Sequence, residues 1–244
     1  MKRIAGLTLF AWCLIAAPAG AHEFIIKPNA LRVKTGDKVP LSVFSTHVFV
    51  AGEEMLPASS VKATLVEGGK SSALALRENN ILETLDGTAA FARKGTAIIA
   101  GHLEEPVETV NSPTGKPQRA RFEKFAKTLV VVDAADRSYE KVLGHRLEIV
   151  PLSDPTAARV GDEVGFKILF DGKPLQAVVL ATYDGFSRLY NTYAYATEAR
   201  DGGVARVKIT HPGIWIVRVE KRVEVAEKDY NLHVMKAVLL FPVE

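Results

Sequence analysis

From Phe24 onward the chain runs in short alternations of apolar and polar residues, broken by Gly, Asp, Asn or Pro about every ten residues. A period of two sends successive side chains to opposite faces of a strand, so each run has one face for burial and one for water. Little of the chain shows the 3.6-residue period of an amphipathic helix. This excludes helical bundles and α/β folds and leaves an all-β sandwich architecture. The clearest run is Val39 to Val50, which places Val39, Leu41, Val43, Ser45, His47 and Phe49 on one face. Leu31–Val33, Val61–Val66, Ala73–Leu76, Thr96–His102 and Thr128–Val132 read as further strands. Glu104 to Ala120, rich in Pro, Gly, Ser and charge, is expected to be a long loop. Arg121–Lys127 reads as a helical turn and Asp133–Glu140 as a polar linker.

The pattern occurs twice. Leu31-Arg-Val-Lys-Thr-Gly-Asp-Lys-Val-Pro-Leu-Ser-Val-Phe44 resembles Ala157-Ala-Arg-Val-Gly-Asp-Glu-Val-Gly-Phe-Lys-Ile-Leu-Phe170, with one gap. Asp86-Gly87 followed by Lys94-Gly95 resembles Asp201-Gly202 followed by Pro212-Gly213. In both halves a Gly-Asp turn feeds an early strand and two Gly turns flank a later strand pair. The repeat predicts two tandem immunoglobulin-like β-sandwich domains, residues 22–140 and 141–244, rather than one large sandwich.

Residues 1–21 read as a cleaved secretory signal peptide. Lys2 and Arg3 form the basic start, Ile4 to Ala17 an apolar run too short to span a bilayer, and Ala19-x-Ala21 a small-residue cleavage site. The expected compartment is the periplasm, and no apolar run after the signal is long enough for a membrane span. Cys13, the only cysteine, lies inside the signal, so disulfides and thiolate metal sites are excluded from the remainder. The formal charge of +3 falls to +1 without Lys2 and Arg3, and no basic run occurs. Nucleic acid is therefore not an expected partner.

Cleavage after Ala21 would leave His22 at the N-terminus, with an α-amine and an imidazole on one residue, enough to close a chelate ring on a transition metal. His47 and His102 sit near the ends of predicted strands, each on a face shared with apolar residues. Such a histidine is either a hydrogen-bonded core residue or a ligand. The corresponding positions of the second repeat carry no histidine, so both belong to the half that also holds His22. His22, His47 and His102 are the expected metal ligands. Their nitrogen donors suit Ni²⁺, Co²⁺, Cu²⁺ or Zn²⁺. Glu53, Glu54 and Met55 offer an oxygen or a thioether, or simply an exposed acidic turn. His145 is expected to be exposed, His211 to serve a turn, and His233 to have an open role. The aromatic stretch Tyr183 to Tyr195 is expected either to pack within its sheet or to form a patch for a partner or for the first half.

No Ser nucleophile elbow, His-Glu-x-x-His or phosphate-binding Gly loop occurs, so the expectation is a non-enzymatic protein. The chain resembles periplasmic components that accompany bacterial ABC-type cobalt/nickel uptake transporters. The resemblance rests on Ala21-His-Glu-Phe-Ile-Ile-Lys-Pro28, Gly36-Asp-Lys-Val39, Ser45-Thr-His-Val-Phe49 and Lys124-Phe-Ala-Lys-Thr-Leu129. It continues in Gly144-His-Arg-Leu-Glu-Ile-Val-Pro-Leu152, Tyr183-Asp-Gly-Phe-Ser187 and Thr210-His-Pro-Gly-Ile-Trp215. It implies handling of Ni²⁺ or Co²⁺ and delivery to a membrane transporter. A copper oxidase of the histidine-brace type and a metal-free structural or adhesive module are the alternatives.

Overall fold

The computed structural model describes residues 22–47, 49, 52–112 and 114–244. The signal peptide expected at 1–21 lies outside them. The protein is all-β, and no α-helix occurs among the described residues. The first half contains β1 (Glu23–Pro28), β2 (Arg32–Val33), β3 (Lys38–Thr46), β4 (Val61–Glu67), β5 (Lys70–Ala73), β6 (Leu76–Asn79), β7 (Thr84–Ala90), β8 (Gly95–Glu104), β9 (Glu108–Asn111) and β10 (Pro117–Val132). The second contains β11 (Leu147–Pro151), β12 (Glu163–Phe170), β13 (Lys173–Pro174), β14 (Ala177–Tyr183), β15 (Tyr195–Ala199), β16 (Val204–Lys208), β17 (Gly213–Glu224) and β18 (Leu232–Val243).

The repeat is visible in the hydrogen bonds. Gly36 N–H donates to the Phe91 carbonyl and Phe91 N–H to that of Asp37; Gly161 and Ile209 repeat this with Asp162. Lys34 N–H donates to the Asp37 carboxylate at 2.8 Å, and Arg159 N–H to that of Asp162 at 2.9 Å. Both turns need φ near +100°, +97° at Gly36 and +101° at Gly161, which explains the glycine. The antiparallel set β1-β3-β7 therefore corresponds to β11-β12-β16, and β5-β4-β8 to β15-β14-β17.

The two immunoglobulin-like sandwiches are not separate bodies on a linker. Their last strands, β10 and β18, pair in parallel from Ala120↔Leu232 to Thr128↔Leu240. This joins β5-β4-β8-β10 to β18-β17-β14-β15, and with β2 and β9 also paired to β10 they form one ten-stranded central sheet. The sheet of β1, β3, β7 and β6 covers one face, and its core takes Ala97 and Ile99 from β8, Ala126 and Val130 from β10, and Val238 and Leu240 from β18. The sheet of β11, β12, β13 and β16 covers the other, where Ile98, Phe125, Leu129, Trp215, Leu239 and Phe241 are buried. Alternation along each central strand thus feeds two cores at once.

Four local expectations are corrected. Asp86-Gly87 lies inside β7, paired with β3, rather than at a turn, and residues 74–75 separate β5 from β6 rather than continuing a strand. Arg121–Lys127 is strand, not helical turn: it lies within β10, where Arg121 pairs with His233 and Lys127 with Leu239. Its charged residues disguise a buried strand because each has a partner. Lys124 Nζ donates to Glu105 at 2.6 Å, and Lys127 is ion-paired with the buried Glu148. The expected loop 104–120 instead contains a hairpin of β9 and the start of β10.

Candidate metal centre

Antiparallel pairing of β1 with β3 sets Glu23 opposite Thr46, and the same register carried one step further sets His22 opposite His47. Directly opposed residues have Cβ atoms about 5 Å apart, and the two imidazole rings meet at 3.8 Å between centroids. The chain leaving β3 doubles back, with Glu53 N–H donating to the Ser45 carbonyl at 3.1 Å. This carries the Glu53 carboxylate to 2.7 Å from His47 Nδ1 and 3.8 Å from His22 Nε2. Glu54 lies 3.4 Å from His22 Nδ1 and accepts from Ser45 Oγ at 3.2 Å. One ligand atom from each of His22, His47 and Glu53 falls within 4.8 Å of the others.

The second half closes this site. The segment between β14 and β15 reaches across and stacks Tyr190 on His47, at 4.9 Å and 21°. Thr182, Tyr183, Ser187, Leu189, Thr192 and Tyr193 face Glu23, Thr46 and His47 across a small cleft. The aromatic stretch meets both expectations, with Tyr183 and Tyr195 packed on the second core and Tyr190 and Tyr193 in contact with the first half. Leu189 and Tyr190 nonetheless remain 73% and 65% exposed, so the cap is itself open to solvent.

Beneath the histidines lies a buried charge network that the sequence reading missed. Glu23 accepts from Arg218 Nε at 2.7 Å and from the Tyr193 hydroxyl at 3.4 Å. Arg218 continues to Glu220 at 2.7 Å. Lys236 Nζ lies 3.8 Å from Glu23 and donates to the His22 carbonyl at 3.3 Å. Burial pushes the Lys236 ammonium down to about 8. Burial also opposes the charge on Arg218, but Glu23, Tyr193 and Glu220 outweigh it and hold the guanidinium more firmly protonated than usual. The network ties the start of β1 to β17 and β18. Its signal was present as a lone lysine inside the apolar run of β18.

His102 does not join this site, contrary to the expected three-histidine set. Its neighbour Gly101 faces the first core, where an added Cβ would meet Ile26 Cδ1 at 2.5 Å and Phe24 Cε1 at 2.9 Å. Alternation therefore turns His102 to the opposite face of the central sheet. There its Nε2 lies 2.9 Å from Glu123 Oε1 and its ring stacks on Phe125 at 5.0 Å. His145, expected to be exposed, is half-buried on the other side of the same phenyl ring, at 5.1 Å. His211 does serve a turn: its carbonyl accepts from Trp215 Nε1 at 2.9 Å. Met55 packs against the first core rather than at the histidines.

A family model described as "Domain of unknown function (DUF4198)" matches residues 19–223. No curated protein matches the sequence. Among solved structures, the D0-D1 domain of intimin is 15% identical, with 90% of this chain and 97% of that one covered and a TM-score of 0.25. The Escherichia coli adhesin FdeC is 13% identical over 91% of this chain and 65% of that one, TM-score 0.29. The mouse nectin-like molecule 4 ectodomain is 13% identical, with 91% and 65% covered, TM-score 0.21.

Proposed function

We propose that this chain, which belongs to the DUF4198 family of domains of unknown function, binds a divalent transition metal, Ni²⁺ or Co²⁺, as cargo. In this reading it works in the periplasm and passes the ion to a membrane uptake transporter. The observation that carries it is the convergence of His22, His47 and Glu53 within 4.8 Å. Two imidazole nitrogens and a carboxylate oxygen form a borderline donor set that suits Ni²⁺, Co²⁺ or Zn²⁺ better than Ca²⁺ or Mg²⁺. Cleavage before His22 would add the α-amine as a further nitrogen donor. The buried network around Glu23 would hold that end of β1 in place, so little ordering is left for the metal to impose.

The cap favours a carrier over a histidine-brace oxidase. An oxidase acting on a polymer needs an open, flat face at the metal, whereas Tyr190 stacks on His47 and Leu189 lines the adjoining cleft. A carrier needs a site that a partner can uncover, and a single exposed loop suits that purpose.

Titration of NiCl₂ or CoCl₂ into the exported protein tests the proposal. His47→Ala and Glu53→Gln are each expected to weaken binding at this site by at least about tenfold, or 1.4 kcal/mol. His102→Ala is expected to leave this site's affinity unchanged. Equal affinity in wild type and His47→Ala would remove the site and leave the metal-free sandwich module as the better reading.

A further inference from the structure

The opposite face of the central sheet gathers a different set of ligands at the seam of the two sandwiches. His102 comes from β8, Glu123 from β10 and His233 from β18. Glu123 is 8% exposed and His233 6%. The Glu123 carboxylate lies between the two imidazoles, Oε1 at 2.9 Å from His102 Nε2 and Oε2 at 3.1 Å from His233 Nε2. Glu104 Oε1 lies 4.0 Å from the same His102 nitrogen. His233 Nε2 is buried and, although 3.1 Å from Glu123 Oε2, is poorly aligned with it for a hydrogen bond. One ligand atom from each of His102, Glu104 and Glu123 lies within 4.8 Å of the others, and His233 adjoins the same carboxylate, a grouping of imidazoles and carboxylates of the kind that surrounds a transition ion.

We infer that His102, Glu123, His233 and Glu104 form a second binding site for a divalent first-row transition ion, one that clamps β8, β10 and β18 together. Two imidazoles and two carboxylates supply a neutral overall complex with a doubly charged ion, in a donor set typical of Zn²⁺, Co²⁺ or Ni²⁺. The neighbouring cations fit as outer partners of the carboxylates. Arg121 pairs with Glu104 Oε2 and leaves Oε1 toward His102. Arg146 lies 3.8 Å from Glu123 Oε2 and 3.5 Å from His233 Nδ1, and is 3.0 Å from Asp171. Its side chain is 46% exposed, so it can turn fully to Asp171 when His233 takes the tautomer that ligates through Nε2.

Counting bound metal separates this site from the His22 and His47 site. Equilibrium dialysis of the exported full-length chain against CoCl₂, with metal quantified per protein, is expected to give two equivalents. His47→Ala is expected to retain the equivalent at this site, and His102→Ala/His233→Ala to lose it. Glu104→Gln alters a part-exposed side chain and serves if the double variant fails to fold; it is expected to weaken this equivalent about tenfold. Addition of CoCl₂ is also expected to raise the unfolding temperature of His47→Ala but not that of His47→Ala/Glu104→Gln at the same concentration. One equivalent in wild type that survives His102→Ala/His233→Ala, or is unmoved by Glu104→Gln, would overturn the inference. One equivalent that survives only in His47→Ala would uphold it and sink the cargo site instead. No bound cobalt in any variant would overturn both.

Discussion

His145 rests on Phe125, and burial, partly offset by Glu148, lowers its imidazole to about 4. In the unfolded chain a histidine titrates near about 6.5. Between those values the unfolded state binds the extra proton, so the stability this group contributes is present above about pH 6.5 and is lost as pH falls toward 4. Glu123 adds to the same trend at lower pH: burial would raise its carboxyl, but the hydrogen bond from His102 and the charges of His102, His233 and Arg146 bring it below the ordinary range. The contribution of His145 is isolated by difference. Denaturant unfolding of metal-free wild type and His145→Gln, from pH 7 to pH 4, is expected to show a shallower loss of stability in the variant. Parallel curves would mean that the imidazole titrates normally. At this scale the sequence exposed the histidines and hid their partners. Glu23, Glu123, Arg218 and Lys236 are ordinary charged residues whose burial depends on neighbours from strands remote in the chain.

At the scale of elements, register rather than residue type brings His22, His47 and Glu53 together at the proposed cargo site. Alternation in Val39–Phe49 was enough to place His47 on the inward face with Leu41 and Val43. That His22 would stand opposite it depended on the pairing of β1 with β3, and short-range pattern does not specify a strand's partner. The same limit misplaced His102, because a strand with two buried faces has no apolar side that identifies its core. The turn that carries Glu53 can be tested without touching a ligand. A Cβ on Gly52 would lie 2.5 Å from the Leu82 carbonyl oxygen and 2.9 Å from that of Glu83, both backbone atoms with little room to yield. Gly52→Ala is expected to push residues 52–54 away from the 82–83 turn, draw Glu53 from His47 and weaken Ni²⁺ binding by about tenfold, or 1.4 kcal/mol. Unchanged affinity in a variant of unchanged stability would show that Glu53 does not contribute.

For the whole molecule, the repeat predicted two sandwiches; the Gly-Asp turns do recur, and two four-stranded sheets pack on opposite faces of one central sheet. The fusion of the two halves through that central sheet could not be read from the chain. It depends on β10 meeting β18, a contact in which Arg119 N–H reaches Asn231 across 112 residues. Fusion predicts that the halves unfold together, since β10 and β18 each feed both cores. Trp215, the only tryptophan beyond residue 21, is buried in the second core and reports on that half. Leu85→Ala, in the first core, is expected to cost about 2–5 kcal/mol. It should shift the Trp215 fluorescence transition and the far-UV circular dichroism transition by the same amount. A fluorescence midpoint unmoved by Leu85→Ala would mean that the sandwiches unfold independently.

Whether His22, His47 and Glu53 hold the proposed metal is decided by anomalous X-ray scattering. Crystals of the exported protein grown with NiCl₂ and measured at the nickel edge are expected to show an anomalous peak in coordination contact, about 2.0–2.2 Å, with an imidazole nitrogen of His22, one of His47 and a carboxylate oxygen of Glu53. Nickel absent from that position while bound elsewhere on the protein, or no anomalous peak at all, would contradict the account.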